Sequence, residues 1–294
     1  MPHIQQREIP VERFGPLVEF DGQVDSTADI QAFLQKHGYI VFRQELDRDS
    51  VLAAREEVLN RLAEVGEISE PILDGRMTGH SQRPDPAEDH GEFWKSVSHG
   101  AALREVTHGP AAHALVAAVL GEAARAHDLM YLRPMAPGSA TPLHYDYPFF
   151  AGDSERIYTV WIPFGDVPLT NGPLAIVEDS YRFDELLDPI RAIDFSQDRS
   201  NDKVQAAAYD AQNVVHPVDL AIQRACGCYR QILKPAMSSS STASLCMGRW
   251  TTRRLTVASA CRVTCVTSRL PTLIRTTATL EQNREARKEL ATPT

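Results

Sequence analysis

The first 225 residues of this 294-residue chain contain no cysteine; all five fall at or after Cys226. A disulfide framework is not usually confined to one end of a chain, so a secreted, disulfide-stapled domain is not expected. No run of 18 or more apolar residues occurs, and no membrane span is expected. The opening stretch, MPHIQQREIPVERFG, lacks the apolar centre of a signal peptide, so a cytoplasmic location is the expectation. Positive charge is in deficit: 30 Lys and Arg against 39 Asp and Glu give a net charge of −9 and a pI near 5.6. A phosphate backbone is repelled on average by such a chain, and a nucleic-acid partner is not expected. The acids are themselves missing from one stretch. None occurs between Gly227 and Leu280, and 36 of the 39 lie in the first 226 residues.

What is present reads as a globular protein with a proper core, at 43% hydrophobic residues. STADIQAFLQKHGYIVFRQEL predicts a helix followed by a strand. Ser26 or Thr27 can cap the helix, Ile30, Phe33 and Leu34 recur at helical spacing, and Gly38 ends it before the strand-like YIVF. DRDSVLAAREEVLNRLAEVG predicts a second helix, with Asp47, Asp49 or Ser50 as cap and Val51, Ala54, Val58, Leu59 and Leu62 on one apolar face. Residues 66–95, rich in Pro, Gly, Asp and His, read as a long loop, and a third helix is expected at 109–121. After that come short strand-like runs, DLMYLRP, TPLHYDY, IYTVWIPF and PLAIVED, split by turns such as the Asn-Gly of LTNGPL. Helices first and antiparallel strands after predict an α+β fold with a β-sandwich or barrel core.

Within TPLHYDY, His144 and Asp146 stand at i and i+2, so on a strand they project from one face. An imidazole nitrogen and a carboxylate oxygen side by side are two thirds of the 2-His-1-carboxylate facial triad of non-haem iron(II) oxygenases. Alone, the same pair also fits two polar residues on a surface turn.

The surroundings of the pair resemble the phytanoyl-CoA dioxygenase family. MYLRPMAPGSATPLHYD precedes it, the strand YTVWIPFGDV follows about fifteen residues on, and TNGPLAIVEDSY follows that; FLQKHGYIVFRQEL resembles the family's opening. The resemblance spans roughly residues 25–226, densest at 128–181. It implies a double-stranded β-helix (a cupin-like jelly roll) with flanking helices, and His144 and Asp146 as ligands of Fe(II). It implies 2-oxoglutarate and O2 as cosubstrates and a small-molecule substrate hydroxylated at an unactivated C–H bond. Asp146 favours hydroxylation over halogenation, because related halogenases have Gly or Ala at that position to make room for chloride. By the same resemblance Trp161 lines the 2-oxoglutarate pocket or is a plain core aromatic. Arg133 touches the cosubstrate or, the favoured reading, is a surface charge.

The family also has a second histidine far downstream, and an arginine about eleven residues later whose planar fork pairs with the distal carboxylate of 2-oxoglutarate. After Asp146 the only histidine is His216, in NVVHPVDL, which reads as a loop residue. The segment from Gly227 on is rich in Ser, Thr, Arg and Cys. A basic tail, or a Cys-rich metal-binding or interaction module, would fit that composition, but Cys226-x-Cys228 and Cys261-x3-Cys265 match no standard zinc spacing. A frameshift starting near Cys226–Gly227 fits better. When the last base of each codon is read with the first two of the next, Cys246–Met247 can give only His or Tyr, Met247–Gly248 only Gly, and Trp250–Thr251 only Asp. The resulting [His/Tyr]-Gly-x-x-Asp resembles the family's distal motif. The codons leading to Gly248 permit GDVVVFNCFTMHG, and an arginine is permitted across Val257 and Ala258, eleven codons after the histidine. The expectation is therefore a dioxygenase domain over 1–226, with its jelly roll incomplete at the C-terminus, and a disordered, out-of-frame tail over 227–294. The third ligand is missing as written and expected near Met247. An inactive jelly-roll remnant is the rival reading.

Overall fold

A computed structural model of the chain describes residues 3–4, 7–84, 91–132, 143, 157–165, 167, 173–191, 216–230, 243–248 and 260–267. A short hairpin, β1 (His3–Ile4) and β2 (Arg7–Glu8), leads to β3 (Phe14–Pro16). Helix α1 (Thr27–His37) starts where Ser26 accepts the Asp29 N–H, and it ends at Gly38, which adopts the left-handed conformation at φ 74°. Strand β4 (Tyr39–Leu46) follows at once. Helix α2 (Arg48–Glu64) is capped by Asp47, which accepts the Ser50 N–H at 2.8 Å. All five residues of its expected apolar face are buried, and each Val or Leu among them contributes about 1.5–3 kcal/mol when fully buried.

Residues 66–95 are not wholly loop. A turn of 3-10 helix occupies Ile72–Asp74, and α3 (Glu92–Ser98) begins within the stretch, followed by α4 (Ala101–His108) and α5 (Pro110–Leu120). Strands β5 (Ala124–Leu132), β6 (Ile157–Pro163) and β7 (Ala175–Val177) come next, then α6 (Asp184–Arg191), α7 (Pro217–Gln223) and β8 (Cys228–Arg230). Where the sequence pattern predicts no regular structure after Gly227, the backbone also forms β9 (Ala243–Gly248) and β10 (Ala260–Thr267). The physical reason lies in the sheet. β9 runs between β4 and β6, and β10 between β6 and β5, so both satisfy rows of backbone N–H and C=O groups whatever their side chains.

The five-stranded sheet has the order β4-β9-β6-β10-β5, with every described pairing antiparallel, and a three-stranded sheet has the order β3-β8-β7. Period-two alternation divides the core between two faces. Ile40, Phe42, Val160, Ile162, Met130 and Leu132 join the helical side chains in the large cluster on one face of the five-stranded sheet. Tyr39, Val41 and Trp161 point the other way and pack with Leu17, Val167, Leu174 and Ile176, which links the two sheets. β4 and β6 are thus buried on both faces, which is why YIVF and VWI read as unbroken apolar runs. The far side of the small sheet carries a third cluster, with Val177 and Cys228 against Ile4, Ile9, Phe183, Val218, Leu220 and Ala221.

Candidate active site

Of the sequence-predicted site residues, Trp161 lies in the layer between the two sheets. Trp161 sits on β6 and is 4% exposed. Its indole N–H is buried and has no hydrogen-bond partner among the described residues. A buried donor left unmade costs about 1–3 kcal/mol, so it calls for an explanation. Trp161 pairs in register with Cys246 of β9 on one side and Arg262 of β10 on the other. Strand β9 therefore crosses the sheet beside the indole, and Cys246–Met247 is the pair opposite Trp161–Val160.

His144, Asp146 and Arg133 lie outside the described residues. Their neighbour Leu143 is described, and it packs against the outer cluster of the small sheet. His216, expected in a loop, immediately precedes α7 and caps it: its Nδ1 accepts the Val218 N–H at 3.2 Å. With Pro217 at the first helical position, this is an ordinary helix start. A ring nitrogen committed to a helix end is poorly placed as a metal ligand.

A facial triad needs two histidines and a carboxylate. Among the described residues no group of three or more His, Cys, Asp or Glu side chains could hold a metal ion. The sequence offers no histidine after Asp146 other than His216. The buried Trp161 donor, without a partner among the described residues, fits a bound acceptor, but the donor set of this chain does not fit a three-ligand iron centre.

Sequence reasoning missed a second polar arrangement, because it lies in the stretch read as loop. Arg83 Nε donates to Glu67 Oε1 at 2.5 Å in an almost fully buried pair, and the guanidinium lies over the rings of Phe93 and Trp94. Those rings meet edge to face with centroids 5.2 Å apart, and the Arg61 guanidinium also lies over Phe93, 5.8 Å from its centroid. The cluster ties the start of α3 to the segment after α2. No local pattern announces a pair sixteen residues apart.

Near α4 and β5, His108 is held by Thr107 at 2.8 Å and lies 3.0 Å from an Arg104 Nη1. Burial, and then the Arg104 charge, lower its pKa below the ordinary histidine value.

A profile of the phytanoyl-CoA dioxygenase (PhyH) family matches residues 34–221. The chain belongs to that family. Iron(II), 2-oxoglutarate and dioxygen are the cofactor set of its enzymes. Among curated proteins it is similar to the 1-deoxypentalenic acid 11-beta-hydroxylases of Streptomyces arenae and Streptomyces exfoliatus, each 27% identical, over 169 and 167 residues. These matches cover 54% of this chain and 56% of each relative, so the chain spans about half the length of the curated relatives it matches. Among solved structures, the epimerase SnoN in complex with Fe3+, alpha ketoglutarate and nogalamycin RO matches at TM-score 0.50 and 14% identity, covering 82% of this chain and 84% of that one. EctD from S. alaskensis with 2-oxoglutarate and 5-hydroxyectoine also matches at TM-score 0.50 and 14% identity, covering 91% and 86%. These likenesses concern the fold. The family match ends at residue 221, close to where the acids stop.

Proposed function

We propose that this protein is an iron(II)- and 2-oxoglutarate-dependent oxygenase that hydroxylates an unactivated C–H bond of a small molecule. In this reading the two packed sheets are the halves of a double-stranded β-helix, and the site lies between them. The observation that carries the reading is the family match over residues 34–221, which includes His144, Asp146 and Trp161.

The side chains support the same assignment. On an extended run, positions 144 and 146 would share one face. His144 and Asp146 then supply a neutral nitrogen and an anionic oxygen on one face. The Trp161 N–H, buried between the sheets and without a described partner, donates to a carboxylate of 2-oxoglutarate. Arg133 is read as a surface charge. Iron supplies the activation of dioxygen, coupled to oxidation of 2-oxoglutarate to succinate and carbon dioxide.

A second reading is favoured by the donor set. Without a second metal-binding histidine, the chain as written is close to an inactive remnant of such an enzyme. The two readings concern different objects, the enzyme of the family and the polypeptide as written.

The test uses protein isolated from its native host and given Fe(II), ascorbate, 2-oxoglutarate and 18O2. The proposal expects succinate carrying one 18O atom, and no succinate once the iron is chelated. Succinate formation without 18O, or without any dependence on iron, contradicts it.

A further inference from the structure

We infer that the reading frame of the coding sequence slips near Gly227, and that the third metal ligand is encoded in the other frame, on β9 beside Trp161. The inference rests on the oxygenase reading only for the ligand's role; the frame itself is argued independently.

Up to Cys228 the chain is held by specific contacts. Arg13 donates to the Cys226 carbonyl at 3.1 Å, Glu178 exchanges backbone and side-chain hydrogen bonds with Gly227, and Cys228 is buried in the outer cluster. Beyond it the composition changes while the architecture does not. The acids vanish until Glu281, yet β9 and β10 fill two inner positions of the five-stranded sheet. The match to EctD covers 91% of the chain, more than residues 1–226 amount to. Inner strands of a sheet covered on both faces need apolar side chains. ASLCMG and ACRVTCVT are apolar at four of six and five of eight positions, but the second sets Arg262 in register with the buried Trp161.

The genetic code accounts for the cysteines of this segment. A codon of the form NTG encodes Leu, Met or Val. Read with its first base assigned to the preceding codon, its TG opens the next one, which becomes Cys or Trp. Cys228, Cys246, Cys261, Cys265 and Trp250 each therefore force Leu, Met or Val at the straddling codon before them. Four of the five fall on or at the start of strands, where the fold wants apolar residues. One lies at the start of β8, where Cys228–Tyr229 also forces Leu. Another lies in β9 ahead of Cys246, and two lie four residues apart on β10, on one face of the strand.

At the end of β9 the forced pair is His or Tyr across Cys246–Met247, then Gly across Met247–Gly248. Trp161 pairs with Cys246, and Val160 with Met247. The straddling histidine therefore lands within one residue of the β9 position that neighbours the Trp161 indole, which has no partner among the described residues. That is the nitrogen ligand the written chain lacks. A permitted arginine follows across Val257–Ala258, shortly before β10 starts at Ala260. It would supply a planar, bidentate partner for a carboxylate.

The experiment is to sequence the source DNA from codon 215 to codon 290 and to map tryptic peptides of the native protein by mass spectrometry. The inference expects one base more, or two fewer, near codon 227. It also expects peptides from the shifted frame, including the histidine followed by glycine, and no peptide Leu255–Arg262 of the written sequence. An unchanged DNA sequence together with that written peptide in the native protein overturns it, as does a stop codon in the shifted frame before the histidine. A frame confirmed in this way, in a protein that makes no succinate, would leave the inference standing and overturn the oxygenase reading.

Discussion

The hydroxyl of Tyr181 is shared between the carbonyls of Gln35 and Lys36, 2.8 Å from each, and its ring lies over Gly38 where a Cβ would otherwise sit. The segment after β7 is thereby fastened to the C-terminal end of α1, just before β4 enters the sheet. Gly38 has two reasons to be glycine: its φ of 74° and the ring above it. The left-handed conformation costs an L-residue roughly 1–2 kcal/mol, and crowding a packed site costs about 1–3 kcal/mol more. Gly38→Ala is expected to lower unfolding free energy in urea by about 2–4 kcal/mol. Tyr181→Phe, which loses only the shared hydrogen bond, is expected to lower it by about 0.5–1.5 kcal/mol. A Gly38→Ala variant as stable as the parent would contradict this reading.

Glu57 reaches from α2 to accept the Leu103 N–H at 2.8 Å, and the Ala102 N–H at 3.4 Å, at the start of α4. It does the work of an N-cap from another helix. Glu57→Ala is expected to destabilise the protein by about 1 kcal/mol, the ordinary size of a lost cap. Glu57→Gln keeps an acceptor and should recover about half of it. Equal losses in the two variants would mean that the carboxylate charge, not the hydrogen bond, matters.

His108 gives a pH signature. Burial, then Arg104, hold its folded pKa below the ordinary value of 6.5. The unfolded chain therefore binds the proton more readily. The contribution is fully present above about pH 6.5 and is lost as pH falls through the depressed folded pKa. Thermal unfolding between pH 7.5 and 5 should show a midpoint that drops with acidification, and His108→Gln should flatten that drop. Some slope should remain, because burial and then Lys36 lower the His37 pKa in the same way. An unchanged slope in His108→Gln would remove His108 from the account.

Helices α1 and α2 were legible because their signals are local: Ser26 and Asp47 cap them within three residues, and the apolar positions repeat at helical spacing. β4 and β6 were legible as apolar runs, since both of their faces are buried. α3 and α4 were not. Gly91 and Gly100, at the N-cap positions of α3 and α4, supply no side-chain cap, and the cap of α4 comes from Glu57, far away in sequence. β9 and β10 were illegible for a different reason: ASLCMG carries no period-two pattern and ACRVTCVT alternates only over Cys261–Cys265, so backbone pairing is what reveals them. Of the site, Trp161 could be placed on a strand from sequence, but its orphaned N–H required the packing. His144 and Asp146 were singled out by their spacing together with the resemblance of their surroundings, and they lie outside the described residues.

The indole supplies a direct probe of the proposed pocket. Trp161→Phe removes a donor that has no described partner, so the loss of the N–H itself should not destabilise the unliganded fold. In a chain with the downstream frame restored, the same change should raise the half-saturating 2-oxoglutarate concentration by about three- to ten-fold, the worth of roughly one hydrogen bond. A variant with unaltered 2-oxoglutarate dependence would show that the indole faces core and not cosubstrate.

The measurement that bears most directly on the missing ligand is succinate release from 2-oxoglutarate, with Fe(II) and ascorbate, for the chain as written and for the chain with the frame restored from codon 227. Truncating one partner of a desolvated charge pair costs about 2–5 kcal/mol, so losing the carboxylate-binding arginine alone lowers cosubstrate affinity roughly thirty- to several-thousand-fold. Losing the histidine weakens the metal that holds the same cosubstrate. The account predicts turnover in the restored chain, its abolition by His144→Ala or Asp146→Ala, and almost none in the chain as written. Equal succinate release from the two chains would contradict it.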